Sequence, residues 1–550
     1  MFNQSKKNAI ILPSAGAGTC VCDIWVDVMV ELYEKHNIST KYFMYFDEGK
    51  LKKSAKKIHQ VFGDSIYFHD HRLAWKGVGF YKAKKVNVLD SELLKNIAHY
   101  ELIALKMMDR IDPLGDSFSF SNRQYFFRDL LLTWMNIIDE LSIDIAFSPE
   151  VPHRVYDYAL YVALNIKRKK ILTFELTPFG DASIVMDEID QFPDIYLEVM
   201  KGSSVNNVSL VNQKLSDVRK NQNEYKLWYM ERQRKMSSVS LLDLLKKNAA
   251  WFLTKINDKN LFQKVKFKIN DRFQKNISVL ELEAGSFPDN SWYGRHWCYW
   301  VKCGKMPQDS WFSKHEIKKV LKQRKKTVIG FEKKYRQLVD SSIDLKTTRY
   351  VAVGLHYQPE LTSCPTGGGF VDQLLIIDML DKLLPSDVQI FVKEHLAQFR
   401  SFTESSSGRS NIFYERLSSF SDRVKFLASD VPSFDFIDNS LAVVTISGTI
   451  GFEALARGKP VFVFGRTWYE LAPGAFRVRN STDLVEAYNK ISSDSFICDP
   501  DKFDQYIKKL SNYFVWGLHS GSYMLVSKRG HEESVQNIVL GLARFLERMR

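Results

Sequence analysis

Ser447-Gly448-Thr449 stands inside "VVTISGTIGFEALARGKPVFVFG", residues 443–465, where a β-branched run passes through a sharp turn into a helix-like stretch and out to a second strand. A helix N-terminus presents unpaired N–H groups and a partial positive charge. Gly448 and Gly451 carry no side chain, so an anion can approach the backbone, and Ser447 and Thr449 add hydroxyl donors. A phosphate is the anion this arrangement suits. An ordinary helix cap uses the same residue types, so the turn alone leaves both readings open.

Three neighbouring features favour the phosphate. Glu453, read as lying on the first turn of that helix, can accept hydrogen bonds from a ribose diol or complement the helix dipole. "VKEH", residues 392–395, ends another strand-like run; Lys393 and His395 would point at the same crevice and can neutralise a phosphate. "GLHYQPELTSCPTGGGFVDQ", residues 354–373, leaves a third strand with His356, Gln358 and Glu360, then passes Gly367–Gly369 into a helix. A glycine run there also serves as a plain flexible loop.

Such residues meet only if a parallel sheet brings its strand ends together. From about 348 the chain alternates strand and helix: "YVAVGLHYQP", "GGFVDQLLIIDMLDKLL", "VQIFVKEH", "NIFYERLSSF", "RVKFLA", "LAVVTIS", "GFEALARG" and "PVFVFG". Residues 1–200 alternate too, through "NAIILPS", "TKYFMYF", "IDIAFSPE", the helix "HRVYDYALYVALNIKRK" and "KILTFEL". Residues 201–340 differ. They are rich in Lys, Asn and aromatics and read as a helical basic insertion, whose "LLDLLKKNAAWFLTKI" stripe with Trp251 suits a membrane surface or the protein's own core. Residues 530–550 read as a basic helix folding back on the first half. The expectation is an α/β chain of GT-B plan: an N-terminal Rossmann-like domain over 1–200, the insertion over 201–340, a C-terminal Rossmann-like domain over 341–529, and a closing helix over 530–550.

Bulk numbers agree. A chain of 550 residues, 45% hydrophobic and 26% charged, is globular and needs more than one core. No apolar run reaches the ~18 to 20 residues of a membrane span, and the run before Pro13 is too short for a signal peptide, which places the protein in the cytoplasm. Six cysteines, mostly scattered, read as free thiols, with Cys298 and Cys303 as candidate neighbours. The net charge of +13 is uneven: Lys214 to Lys275 holds sixteen Lys/Arg against six Asp/Glu, and "KHEIKKVLKQRKK" follows at 314–326. No nucleic-acid module accompanies these clusters, so the partner they suit is an anionic membrane surface or glycan, or simply solvent.

The ordered set "HYQPE…GG…DQ", "VKEH" and "TISGTIGFEAL..GKPV..FG" resembles the capsule polysaccharide biosynthesis family, which includes bacterial Kdo transferases and is related in plan to bacterial sialyl- and polysialyltransferases. One departure is that the family's usual His-Pro is here His395-Leu396. The resemblance implies a glycosyltransferase that takes a ulosonic acid, Kdo or a sialic-acid-like nonulosonate, from its CMP ester to a surface glycan or lipid-linked glycan, with no metal and no further cofactor. It implies that His395, Ser447, Gly448 and Thr449 hold the phosphate and Glu453 the ribose or base, with His356, Gln358, Glu360 and Lys393 lining the same donor site. The enzyme would work on the cytoplasmic side, in peripheral contact with the inner membrane. A donor using UDP or GDP, or a non-catalytic glycan-binding scaffold, are the alternatives.

A reacting carboxylate should then come from the N-terminal lobe. "FSPEVPHRVYDYAL", residues 147–160, offers Glu150 and His153 at a strand end and Asp157 one helical turn on. A carboxylate there can act as general base or as nucleophile, with His153 positioning it or protonating the leaving phosphate. Helix capping by Glu150, with Asp157 on the wet face, is the competing reading. Glu175 and Asp181 in "FELTPFGD", Asp47 and Glu48 in "FDEGK", and the loop Ser14 to Thr19 are further candidates.

Overall fold

In the computed structural model two parallel sheets share one strand order. The first holds β1 (Lys7–Ile11), β2 (Ile38–Tyr45), β3 (Tyr67–Asp70), β4 (Ile143–Ser148) and β5 (Lys170–Leu176) in the spatial order β3-β2-β1-β4-β5, all parallel. β6 (Ala182–Met186) adds antiparallel to β5. The second holds β7 (Tyr350–Gly354), β8 (Gln389–Lys393), β9 (Val424–Leu427), β10 (Ala442–Thr445), β11 (Val461–Val463) and β12 (Ala475–Arg477) in the order β9-β8-β7-β10-β11-β12, all parallel. The strand order therefore reverses beside β1 in one sheet and beside β7 in the other, and a ligand crevice opens at such a point. This is the α/β, two-Rossmann GT-B plan that the alternation predicts. The structure describes residues 6–548 except 14, 17–18, 21, 46–47, 76, 111–118, 198–208, 221–279, 284–298, 303–313, 359, 401–407, 522 and 524–525.

Both sheets are covered on both faces, which is why their strands read as nearly unbroken apolar runs. The helix Val155–Ile166 is buried from Val155 to Leu164 and packs on the helix Phe120–Glu140, whose Trp134 Nε1 donates to Tyr156 O at 2.8 Å. Helices hand over to strands through single left-handed residues. Asn37, Ser142 and Arg168 have φ of 57°, 48° and 54°, just before β2, β4 and β5, and Gly458 does the same before β11. A left-handed residue satisfies the last helical carbonyls and turns the chain back in two or three residues.

The two sheets are joined by contact as well as by sequence. Phe179 meets Phe452 edge-on, ring centroids 5.5 Å apart, and Trp468 at 5.8 Å. β13 (Val515–Trp516) crosses back and pairs antiparallel with β6. The helix His531–Arg548 then packs on the helix Cys22–His36, and His531 Nε2 meets Asp27 Oδ2 at 2.7 Å. Within 201–340 the described elements are the helix Ser209–Arg219, an antiparallel pair Leu280–Glu283 with Tyr299–Lys302, and the helix Lys314–Leu338, which carries the second basic cluster. Trp251 and its stripe, Cys298, Cys303, Asp47, Ser14, Ala17 and Gly18 lie outside the described residues. Cys22, Cys364 and Cys498 are free thiols. No helix among the described residues is long and apolar enough to cross a membrane.

Candidate functional site

The crevice between β7 and β10 is built from the two loops that leave those strands. His356 follows β7, and its Nε2 accepts the Ile446 N–H at 3.1 Å and lies 2.9 Å from Thr445 Oγ1 at the end of β10. Thr445 Oγ1 in turn accepts the Gly448 N–H at 3.1 Å. Burial holds the His356 imidazole near pKa 3, with nearby His395 and Arg409 acting in the same direction, so the ring is neutral and its Nδ1 carries the proton, 3.4 Å from Thr362 Oγ1. Ser447 Oγ donates to Thr362 O and lies 3.4 Å from Thr366 Oγ1. The turn is thus wired from behind by His356 and flanked by the loop 360–367. Gly448 is the N-cap of the helix Thr449–Ala456 and offers no side-chain cap. No side chain caps that helix start, and the Gly451 N–H turns back to Gly448 O at 3.0 Å.

The glycines have protein reasons that their sequence does not display. A Cβ on Gly448 would lie 3.0 Å from His356 Cε1, and one on Gly451 would lie 2.3 Å from the Tyr469 hydroxyl, which donates to Gly448 O. Gly451 makes room for Tyr469, and Gly448 for His356. Gln358 and Glu360 shape the loop. Gln358 Nε2 donates to Val371 O at 3.2 Å, and its backbone brackets the Gln398 amide. Glu360 Oε2 accepts from Thr362 Oγ1 at 2.9 Å.

At the end of β8 the period-two alternation splits three polar residues. Lys393 Nζ donates to Val431 O and Ser433 Oγ, both at 2.9 Å. Burial lowers its pKa to about 8, opposed by the charges of Glu453 and Asp430. His395 Nδ1 accepts the Ala397 N–H at 3.1 Å, which leaves the ring proton on Nε2 as a donor, and burial brings its pKa to about 4. Glu394, between them, points to the opposite face and is fully buried. Arg409 holds both its oxygens at 2.9 Å, and Tyr414 OH reaches it at 3.2 Å. Arg409 Nη2 also donates to His356 O at 2.9 Å, so this ion pair ties the ends of β7 and β8 together. The sequence reading missed the pair; the same alternation that groups Lys393 with His395 assigns Glu394 to the other face.

Glu453 corrects an expectation. It is the fifth residue of the helix Thr449–Ala456, past its first turn, so dipole complementation does not explain it. It is 6% exposed and its side chain makes no hydrogen bond among the described residues, and burial raises its pKa to about 8, opposed by Lys393 and Arg457.

On the N-terminal side, Glu150 is buried just after β4. Its Oε1 accepts from Ser520 Oγ at 2.5 Å and its Oε2 lies 3.4 Å from Arg154 Nη2. His153 Nδ1 donates to Val151 O at 2.8 Å, which leaves Nε2 as the acceptor. Asp157 is buried rather than on a wet face. Its Oδ1 accepts the Arg154 N–H at 2.6 Å and caps its own helix, and burial raises its carboxyl to about 7, opposed by Arg154. Glu175 pairs with Arg466 of the second sheet's loop and accepts the Trp468 N–H at 3.2 Å. Asp181 pairs with Arg529 Nη1 at 2.7 Å. The structure brings Ser447, Gly448, Thr449 and His356 together at one crevice, and Lys393 beside Glu453. Glu48 opens the helix Glu48–Phe62, far in sequence from either group.

Residues 366–480 match the family described as capsule polysaccharide biosynthesis protein, which covers the turn, the β8 end and Glu453. No curated protein matches the chain. Among solved structures, the UDP-GlcNAc 2-epimerase of Methanocaldococcus jannaschii aligns at 11% identity over 92% of this chain and 99% of that one, with a TM-score of 0.23. The Neisseria meningitidis UDP-GlcNAc 2-epimerase bound to UDP-GlcNAc aligns at 11% over 98% and 100%, TM-score 0.19. A glycosyltransferase from Rickettsia africae ESF-5 aligns at 10% over 99% and 98%, TM-score 0.22. Overlays this loose add nothing to the architecture, which is read from the two sheets themselves.

Proposed function

We propose, from the family match over 366–480 and the geometry of the β7/β10 crevice, that this chain is a glycosyltransferase of capsule or related surface-polysaccharide assembly. Its donor is a ulosonic acid carried as the CMP ester, and its acceptor is a surface glycan or a lipid-linked glycan. The observation that carries the reading is the helix start at Thr449. It is capped by a glycine with no side-chain acceptor, sits at the point where strand order reverses, and is braced by a neutral histidine. In this reading the donor phosphate lies against that helix start, drawn by its partial positive charge and reached by no capping side chain. Ser447 and Thr449 hydroxyls and the Nε2–H of His395 add donors, and Glu453 receives the ribose or base. His356, Gln358 and Glu360 hold the turn and loop in shape.

A leaving cytidine monophosphate is stabilised by Lys393, His395 and the helix start, so transfer proceeds without a divalent cation. Glu150 acts on the acceptor hydroxyl as base, or on the anomeric carbon as nucleophile, with His153 beside it. Asp157 serves that loop as a cap. The basic helix Lys314–Leu338 favours anionic surfaces and holds the enzyme near the inner leaflet.

Calorimetry with CMP, CTP, UDP and GDP tests the donor site. Cytidylate heat is expected, with Ser447→Ala and His395→Ala raising the donor KM or abolishing transfer at unchanged Tm. Binding of UDP or GDP in place of CMP redirects the reading to a nucleoside-diphosphate sugar, and binding of none of them refutes it. Transfer rates unchanged in EDTA are expected, and a lost rate restored by Mg²⁺ overturns the metal-free leaving step.

A further inference from the structure

Between β13 and the helix His531–Arg548, the residues Ser520, Tyr523 and Arg529 reach the chain just after β4 and between β5 and β6. Ser520 Oγ donates to Glu150 Oε1 across 370 residues of sequence. Arg529 Nη1 meets both oxygens of Asp181, at 2.7 and 3.0 Å, and Tyr523 OH donates to Ala182 O at 2.6 Å. These contacts fix residues outside any strand or α-helix.

His519 is the unusual member. It is fully buried, its ring stacks on Phe174 with centroids 4.7 Å apart and meets Tyr523 edge-on at 4.8 Å, and its carbonyl accepts from Trp25 Nε1 at 2.8 Å. Its apolar faces and its backbone are therefore used. Among the described residues neither ring nitrogen makes a hydrogen bond of good geometry, although the Gly517 backbone interacts with the ring. A buried imidazole offers one donor and one acceptor, and leaving either unmade is costly. Burial pulls its pKa to about 4, opposed by the charge of Glu150, the Gly517 backbone and Asp181, so the ring is neutral.

We propose that His519 and Ser520 complete the Glu150 centre: Ser520 is a positioning residue that orients the Glu150 carboxylate, and His519 keeps a ring nitrogen for an O–H group shared with Glu150. That group is either a hydroxyl of the acceptor glycan or a water bound beside it. The proposal rests on Glu150 serving the glycosyl transfer inferred above. It adds two residues from outside the N-terminal sheet to the chemistry at that sheet's strand ends.

Three variants of the full chain test it. His519→Phe keeps the stacking on Phe174 and removes only the nitrogens. If those nitrogens serve an O–H group, kcat/KM for the acceptor falls by roughly tenfold or more, the loss of one hydrogen bond in the reacting complex, while Tm stays level or rises. A rise in acceptor KM identifies the glycan hydroxyl, and a fall in kcat at constant KM identifies the water. Ser520→Ala lowers kcat without changing donor affinity, and Ser520→Thr restores it. Wild-type kinetics in both H519F and S520A overturn the proposal. So does a lowered Tm in H519F, since it means that protein groups already satisfy the ring. Absence of nucleotide heat from the wild-type chain fails the functional reading separately, and the Tm of H519F still decides this one.

Discussion

Lys393 and Glu453 bring opposite tendencies to one place. Burial weakens the hold of Lys393 on its proton and strengthens that of Glu453, each to about 8. Below that value Lys393 is a cation and Glu453 a neutral acid, a net positive site. Above it Lys393 is neutral and Glu453 an anion. Affinity for a nucleoside monophosphate should therefore hold between pH 6 and 7.5 and fall as pH passes 8, by about tenfold per unit for each proton that binding requires. Calorimetry across that range checks the sign, and Lys393→Met should flatten the curve. The Glu394–Arg409 pair predicts a stability effect instead. Arg409→Met leaves a fully buried carboxylate without its cation and should cost about 3–5 kcal/mol in urea unfolding. Individual residues were only partly legible in the sequence. Strand alternation separates Lys393 from Glu394, but the partner of Glu394 comes from a loop, and no spacing rule points to it. The burial of Asp157 was hidden for a related reason. Its helix is covered on both sides, so it has no wet face for a carboxylate to occupy.

The elements were more readable than the contacts between them. Both sheets are parallel and doubly covered, so each strand appears as a short apolar run between helices, and the alternation from 348 onward maps directly onto β7 to β11. Boundaries depend on chemistry that a sequence shows weakly. The turns before β2, β4 and β5 put Asn37, Ser142 and Arg168 in a conformation usually reserved for glycine. At the helix start the sequence suggests anion approach or an ordinary cap, and the structure adds a packing cause for the glycines. Gly451→Ala should force its new methyl onto Tyr469, which lies directly over the turn, and cost about 1–3 kcal/mol. A lowered urea midpoint together with weaker nucleotide binding is the expected result. A variant as stable as the parent would mean that Tyr469 has room to move.

Across the whole molecule the two sheets are clamped by charge as well as by aromatic packing. Arg466, 1% exposed, pairs with Glu175 and donates from Nε to Ile189 O at 2.6 Å. Arg466→Met should lose about 3–5 kcal/mol by stranding Glu175, and adding Glu175→Gln should recover much of it. A double-mutant cycle in thermal unfolding measures that coupling, and independent additive losses would contradict it. None of these long-range joins is visible in a linear reading, because they link residues that only the finished topology makes neighbours. β13 is one such case, as Ser183 Oγ donates to Val515 O from 332 positions away. A ribosome adding about 5–20 residues per second needs on the order of tens of seconds to cover that gap. During synthesis the nascent β6 therefore waits as a bare edge strand, open to pairing with a stranger, until its own last strand emerges to cover it.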